Sequence, residues 1–308
     1  MKTLAVELPA NALPEASRAQ GRARVSAYIA LTKPRITFLL VLSMLAGFVV
    51  GTPERVNYAL LLHTVAATIL LASGVAALNQ FIERDLDILM KRTEARPLPS
   101  GQLLALEALI FGLGVTFLAE VYLYWFVNPL SALVGVGVIV GYVMLYTPLK
   151  TRTPLSTTIG AFPGALPPVL GWAASRGEIG VGAWVLFAIM FFWQFPHFLA
   201  IAWMYKEDYK RAGIVMLPVI EADGRITARN IVSYAVLLLP VSLLPTYLHL
   251  AGWLYFGGAL LLGLWFLTAS IKTARSKTIP DARKLLLASV LYLPLLLGLL
   301  VLSNYFGV

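Results

Sequence analysis

The chain has no cysteine in its 308 residues. Disulfides, thiolate metal sites and cysteine nucleophiles are therefore excluded. Charge is also scarce, with 13% charged residues against 59% hydrophobic ones and a mean hydropathy of +0.81. A soluble domain carries about a quarter charged residues, so the composition rules out that class. It predicts an all-α, polytopic membrane protein instead. Acidic groups are scarcer than basic ones, 15 against 24, for a net charge of +9. In a soluble chain that excess would suggest nucleic acid. Here the placement of the bases accounts for it, and no nucleic-acid partner is expected. There are three histidines. Low-complexity segments, soluble domains and linkers are missing too.

A span takes roughly 20 mainly apolar residues. Nine candidates meet this: 29–51, 57–80, 103–124, 130–148, 155–174, 181–204, 231–249, 252–271 and 285–304. The first begins in an interfacial stretch. The fifth is interrupted by Pro163, Pro167 and Pro168 and by Gly160, Gly164 and Gly171, so a kinked helix inside the bundle is expected. No apolar run precedes residue 36, as a secretory signal would require. Glu7 and Glu15 argue against a mitochondrial presequence. Residues 1–28 are thus expected as a cytosolic tail and 29–308 as a single transmembrane domain, in the inner membrane of a bacterium.

All but two of the 24 Lys and Arg residues, Arg55 and Arg176, fall on one side of this topology. By the positive-inside rule that side is cytosolic. The N-terminus is then cytosolic and the C-terminus outside. The two longest polar loops, 81–102 and 205–230, share the cytosolic side. Their similar placement hints at a weak repeat of spans 1–4 and 5–8, without sequence identity to support it.

Three polar clusters lie at that face. In the first, Asn79, Glu83 and Asp87 follow one another at four-residue steps, which keeps them near one helix face. An amide and two carboxylates there suit a hard divalent cation. Asp85 lies off that face, and Lys91, Arg92 and Arg96 follow. The second cluster is Tyr146, Lys150 and Arg152, whose bases suit phosphate oxygens but also suit anchoring at the membrane. The third runs from Trp193, Gln194 and His197 through Phe198 and Trp203 to Lys206, Glu207, Asp208 and Arg211. His197 is an ionisable group at membrane depth, which marks a functional candidate. His63 and His249 lie toward the outer side and read as packing or interfacial residues. Convergence on one face implies a cavity open to the cytosolic leaflet, with a polar mouth and an aromatic interior. A diphosphate head with a hydrocarbon tail would match both ends.

Asn-x3-Glu-x3-Asp at 79–87, with Arg92-Thr and Arg96-Pro-Leu, resembles the first acidic motif of the UbiA superfamily of intramembrane prenyltransferases. Tyr146-Thr-Pro-Leu-Lys150-x-Arg152-Thr, the Gly/Pro-rich stretch 160–172, Trp193-Gln-x-Pro-His197-Phe, Asp208-Tyr-x-x-Ala-Gly213 and Met216-Leu-Pro218 are similar to its haem-farnesylating members. The likeness runs from Leu31-Thr-Lys-Pro-Arg35 through the sixth span and its loop. Beyond that it is apolar character alone. The resemblance implies nine helices around a lipid-facing cavity, Mg²⁺-bound farnesyl diphosphate as donor and haem b as acceptor. A haem vinyl carbon would attack the farnesyl cation and water would add. Mg²⁺ would sit on Asn79, Glu83 and Asp87, with Asp208 as a further ligand. Arg92, Arg96, Lys150, Arg152, Lys206, Arg211 and Tyr146 would bind diphosphate. His197, Trp193 and Gln194 would face haem, His197 as iron ligand or proton carrier. Partners would include a haem A synthase or an oxidase assembly complex. Two departures stand out. Position 83 is Glu where many members carry Asp, and His197 with Glu207-Asp208 replaces a clean second acidic motif. A quinone-precursor prenyltransferase and a membrane transporter are the rival readings, with an oxidase assembly factor behind them.

Overall fold

The computed structural model describes residues 12–307 except 222, with the backbone alone for 12–20. Thirteen helices follow in order: α1 (Ala12–Leu31), α2 (Pro34–Gly51), α3 (Tyr58–Asp87), α4 (Ala105–Phe126), α5 (Pro129–Leu149), α6 (Ser156–Gly164), α7 (Pro167–Arg176), α8 (Val181–Met204), α9 (Lys206–Arg211), α10 (Leu217–Ile220), α11 (Arg225–Tyr247), α12 (Trp253–Ser276) and α13 (Ile279–Phe306). No strand occurs among the described residues. Among the described residues, eight helices are long and apolar enough to cross a membrane: α2, α3, α4, α5, α8, α11, α12 and α13.

The helix starts follow from local chemistry. Asn57 accepts a hydrogen bond from the Leu60 N–H at 3.1 Å, and Asn128 accepts one from Ser131 at 2.8 Å. Each satisfies a donor left free at a helix N-terminus. Helix α3 has 30 residues, about 45 Å at 1.5 Å per residue. The hydrocarbon layer is about 30 Å, so α3 is long enough to extend past it.

Two expected spans come out differently. The first was expected over 29–51, but α1 continues to Leu31 and α2 starts at Pro34. Proline disfavours the right-handed helical region for the residue before it, and Lys33 takes a left-handed conformation with φ 47° and ψ 60°. The chain turns a corner there. Of the expected tail, residues 12–28 belong to α1, and Ala27 and Leu31 are buried with Ala77, Leu103 and Ala108. Residues 1–11 lie outside the described residues. The fifth span, expected over 155–174, is two helices, α6 and α7, broken at Ala165 and Leu166. Pro167 opens α7, where its missing N–H has no intrahelical partner to lose.

Helix α3 packs on α4, α2 on α7, and α11 on both α8 and α12, while α13 packs against α8, α12 and α2 and closes the bundle. The α2–α7 contact depends on glycine. A Cβ on Gly171 would lie 2.0 Å from the Met44 carbonyl oxygen, and one on Gly47 would lie 1.9 Å from that of Pro168. Small residues let helix backbones approach this closely. Gly171→Leu should therefore force α2 and α7 apart and destabilise the protein by about 1–3 kcal/mol. Thermal unfolding in detergent checks this, and an unchanged midpoint would refute the contact.

Candidate functional site at one end of the bundle

The three polar clusters join. Asn79, Glu83 and Asp87 are 1%, 6% and 0% exposed, and each meets a base. The Lys33 ammonium donates to Asn79 Oδ1 at 2.8 Å. Lys150 pairs with Glu83. Arg96 donates through Nη1 to both Asp87 oxygens, at 2.8 and 2.7 Å. The Asn79 amide then donates to Thr147 Oγ1 at 3.1 Å, which ties the first cluster to the second. In α5 the segment Val140–Tyr146 is a π-helix. Such wide turns recur at functional sites. Here the Thr147 hydroxyl returns to the Tyr142 carbonyl at 2.8 Å, which fixes the side chain that Asn79 meets.

Lys150 lies 4.4 Å from the centroid of the Tyr146 ring, a cation–π distance. Burial works to lower the Lys150 ammonium, but Glu83, Tyr146 and Tyr142 outweigh it and hold it above the ordinary lysine value. Lys33 goes the other way. Burial and the Arg96 guanidinium lower it to about 7, against the pull of Glu83 and Asp87. Gly160 leaves room for the Tyr146 ring, since a Cβ there would stand 2.4 Å from Tyr146 Cδ2.

The third cluster folds back over the first. The Arg92 backbone N–H donates to Asp208 Oδ2 at 3.3 Å, and its guanidinium donates to the Tyr209 hydroxyl at 3.1 Å. Arg211 pairs with Asp208 and donates to the Leu89 carbonyl at 3.3 Å. The Val215 N–H donates to the Lys150 carbonyl at 2.7 Å, linking the second and third clusters. Met90 packs with Ala202, Tyr209, Ala212 and Ile214 beneath these bonds.

Not every expected residue gathers there. Arg152 is exposed, and among the described residues its side chain makes no ion pair. Lys206 reaches the Glu221 carbonyl at 3.4 Å, at the edge of the cluster. Glu207, Asp85 and Lys91 are exposed. Asp208 meets the first cluster through the Arg92 backbone. It does not join Glu83 and Asp87, because Arg211 takes its other oxygen. Among the described residues no three acids or histidines form one metal-holding group.

His197 lies two turns deeper, in α8. Its Nδ1 is 2.7 Å from Ser289 Oγ on α13, and its ring stacks on Trp193 with centroids 4.9 Å apart. Ser289 has one hydroxyl hydrogen, and Oγ lies 2.6 Å from the Leu286 carbonyl. With that hydrogen given to Leu286, His197 donates from Nδ1 and carries its lone pair on Nε2. Trp193 Nε1 donates to the Ser289 carbonyl at 2.9 Å, so the ring is braced twice on α13. Gln194 differs. Its amide donates to the carbonyls of Ala161 and Met190, at 3.1 and 3.0 Å, which pins α8 to α6 and commits both amide hydrogens to backbone. His63 pairs with Tyr122 at 2.8 Å and stacks on Phe126; it is a packing residue, as its position suggested.

The UbiA prenyltransferase family matches residues 40–303. The chain belongs to this family. It is a prenyltransferase of the UbiA type, built into a membrane by its apolar helices. Among curated relatives, a protoheme IX farnesyltransferase of Solibacter usitatus is 53% identical over 90% of this chain and 98% of its own. A protein of the same name from Koribacter versatilis is 46% identical over 90% and 93%. Among solved structures, a digeranylgeranylglyceryl phosphate synthase aligns over 91% of this chain and 98% of its own, with a TM-score of 0.76 and 16% identity. A UbiA homologue from Archaeoglobus fulgidus, bound to GPP and Mg²⁺, aligns over 89% and 99% with a TM-score of 0.64 and 17% identity. These two likenesses establish the UbiA fold.

Several members of this UbiA site escaped the reading of the sequence as site residues: Lys33, Thr147, Tyr209 and Gln80. The last donates to the Leu31 carbonyl at 2.9 Å and holds the end of α1 beside Asn79. Lys33 stands in the Leu31-Thr-Lys-Pro-Arg35 stretch that carried part of the family resemblance. That stretch was the available signal for it.

Proposed function

We propose that the chain transfers the farnesyl group of farnesyl diphosphate to a vinyl carbon of haem b, with addition of water, for terminal oxidase biogenesis. The observation that carries this reading is the joining of the three clusters around two buried carboxylates and a buried amide, with Lys33, Lys150, Arg96 and Arg92 about them. The names and high identity of the relatives support haem as the acceptor. The single domain spans 29–308 in this reading, and the broken pair α6–α7 supplies a ninth crossing. The active site faces the cytosol of a bacterial inner membrane, with a cavity open to the leaflet.

The donor set suits Mg²⁺. Asn79, Glu83 and Asp87 offer hard oxygens at the end of a membrane helix, and these three would hold the ion. Bound there, Mg²⁺ would neutralise charge on the diphosphate leaving group. Lys150, Arg96 and Arg92 add positive charge around the same oxygens and stabilise the charge that develops as the C–O bond breaks. Trp193, Phe198 and Trp203 offer aromatic faces to the allylic cation. His197, with Nε2 as its free lone pair, suits an iron ligand or a proton acceptor.

Acceptor choice tests the reading. The purified protein, given Mg²⁺ and farnesyl diphosphate, is offered haem b and, separately, an aromatic quinone precursor. Farnesylated haem by mass is expected. Farnesylation of the aromatic acceptor with none on haem would overturn the reading in favour of the quinone branch. For His197→Ala, the haem absorption spectrum of the loaded protein should change and turnover should fall about 100-fold. Unchanged spectrum and unchanged turnover would remove both roles from His197.

A further inference from the structure

Lys33 is a half-buried base of the site that meets neither carboxylate directly. Lys150 faces the Glu83 carboxylate and Arg96 faces Asp87. Lys33 instead bonds the neutral amide of Asn79, at 2.8 Å, and among the described residues it forms no ion pair. An ammonium has three hydrogens to donate. One goes to Asn79, so the group can add an anionic acceptor without losing that contact.

Its delivery to the site is built into the backbone. Lysine rarely adopts a left-handed conformation, yet Lys33 does so at φ 47°. The corner is held on both sides. Gln80, the residue after Asn79, donates to the Leu31 carbonyl at 2.9 Å, and the Thr37 hydroxyl donates to the Thr32 carbonyl at 2.8 Å. Leu31 is fully buried. A loose, positive-inside lysine needs none of this scaffolding.

We propose that Lys33 is a further diphosphate-binding residue, carried into the site by the corner between α1 and α2 and donating to a phosphate oxygen of the substrate. The inference rests on the diphosphate reading of the site given above. It adds a fourth base to Lys150, Arg96 and Arg92.

The test is calorimetric binding of inorganic pyrophosphate, with Mg²⁺, to the purified full chain. Lys33→Met should weaken binding about tenfold, the loss of one charge-assisted hydrogen bond. Lys33→Arg should retain most of the affinity. Lys33→Gly removes the charge but favours the left-handed corner. It should show the same loss as Lys33→Met, which separates lost charge from a disturbed backbone. Parent-like affinity in Lys33→Gly would overturn the proposal and leave Lys33 as a holder of Asn79. Failure of the parent itself to bind pyrophosphate would sink the diphosphate reading, and the proposal with it.

Discussion

Asp87→Asn should lower farnesyl transfer about 100- to 1000-fold at saturating Mg²⁺, the scale on which loss of one preorganised electrostatic group acts. Asp87 is fully buried at the end of α3, and Arg96 grips both of its oxygens. Asparagine keeps the shape and one oxygen. It loses the charge that would hold the ion and the partner that orients Arg96. Arg96 is partly exposed, so its freed guanidinium can reach water and the fold should survive. Circular dichroism and the unfolding midpoint separate the two effects. A folded variant with parent turnover would remove Asp87 from the metal site.

Lys150→Met should damage stability and activity together. Glu83 would keep its charge, buried, without its partner. Breaking a buried pair from one side costs about 3–5 kcal/mol. The double variant Glu83→Gln/Lys150→Met removes both charges, so most of that stability should return, measured as the unfolding midpoint in detergent. Turnover should not return, because the double variant lacks both a metal-binding carboxylate and a phosphate-binding base. Recovery of turnover in the double variant would show that the pair is structural only. A Lys150→Arg protein should fall between, since the guanidinium keeps the charge but changes the reach.

Much of this site is written along the chain. The four-residue step from Asn79 to Glu83 to Asp87 is a property of one helix, and the side on which Lys and Arg fall needs only the order of spans. The first survives the passage to three dimensions: all three side chains are buried together at the end of α3. What does not show in one dimension is pairing. Lys33 and Asn79 are 46 positions apart and Lys150 and Glu83 are 67 apart, and no local pattern links them. The corner at Lys33 was hidden for a related reason. Apolar residues run on through Ile29, Ala30 and Leu31 toward α2, so hydropathy joins what Pro34 separates. The break at Ala165 and Leu166 was half visible: the prolines and glycines announce a distorted helix, but they do not show that α7 seats Gly171 against α2 as a separate helix. Gln194 shows the limit of reading residue type. An amide at membrane depth reads as a haem-facing group, and residue type alone does not show that its hydrogens bond the carbonyls of Ala161 and Met190.

The central claim is that Asn79, Glu83 and Asp87 hold the ion that carries the diphosphate. The direct measurement is electron paramagnetic resonance with Mn²⁺ in place of Mg²⁺ and a non-reacting thio analogue of farnesyl diphosphate. Hyperfine coupling between manganese and phosphorus is expected in the parent protein, and its loss is expected in Asp87→Asn. The same manganese–phosphorus coupling in Asp87→Asn as in the parent would place the ion elsewhere and contradict the account.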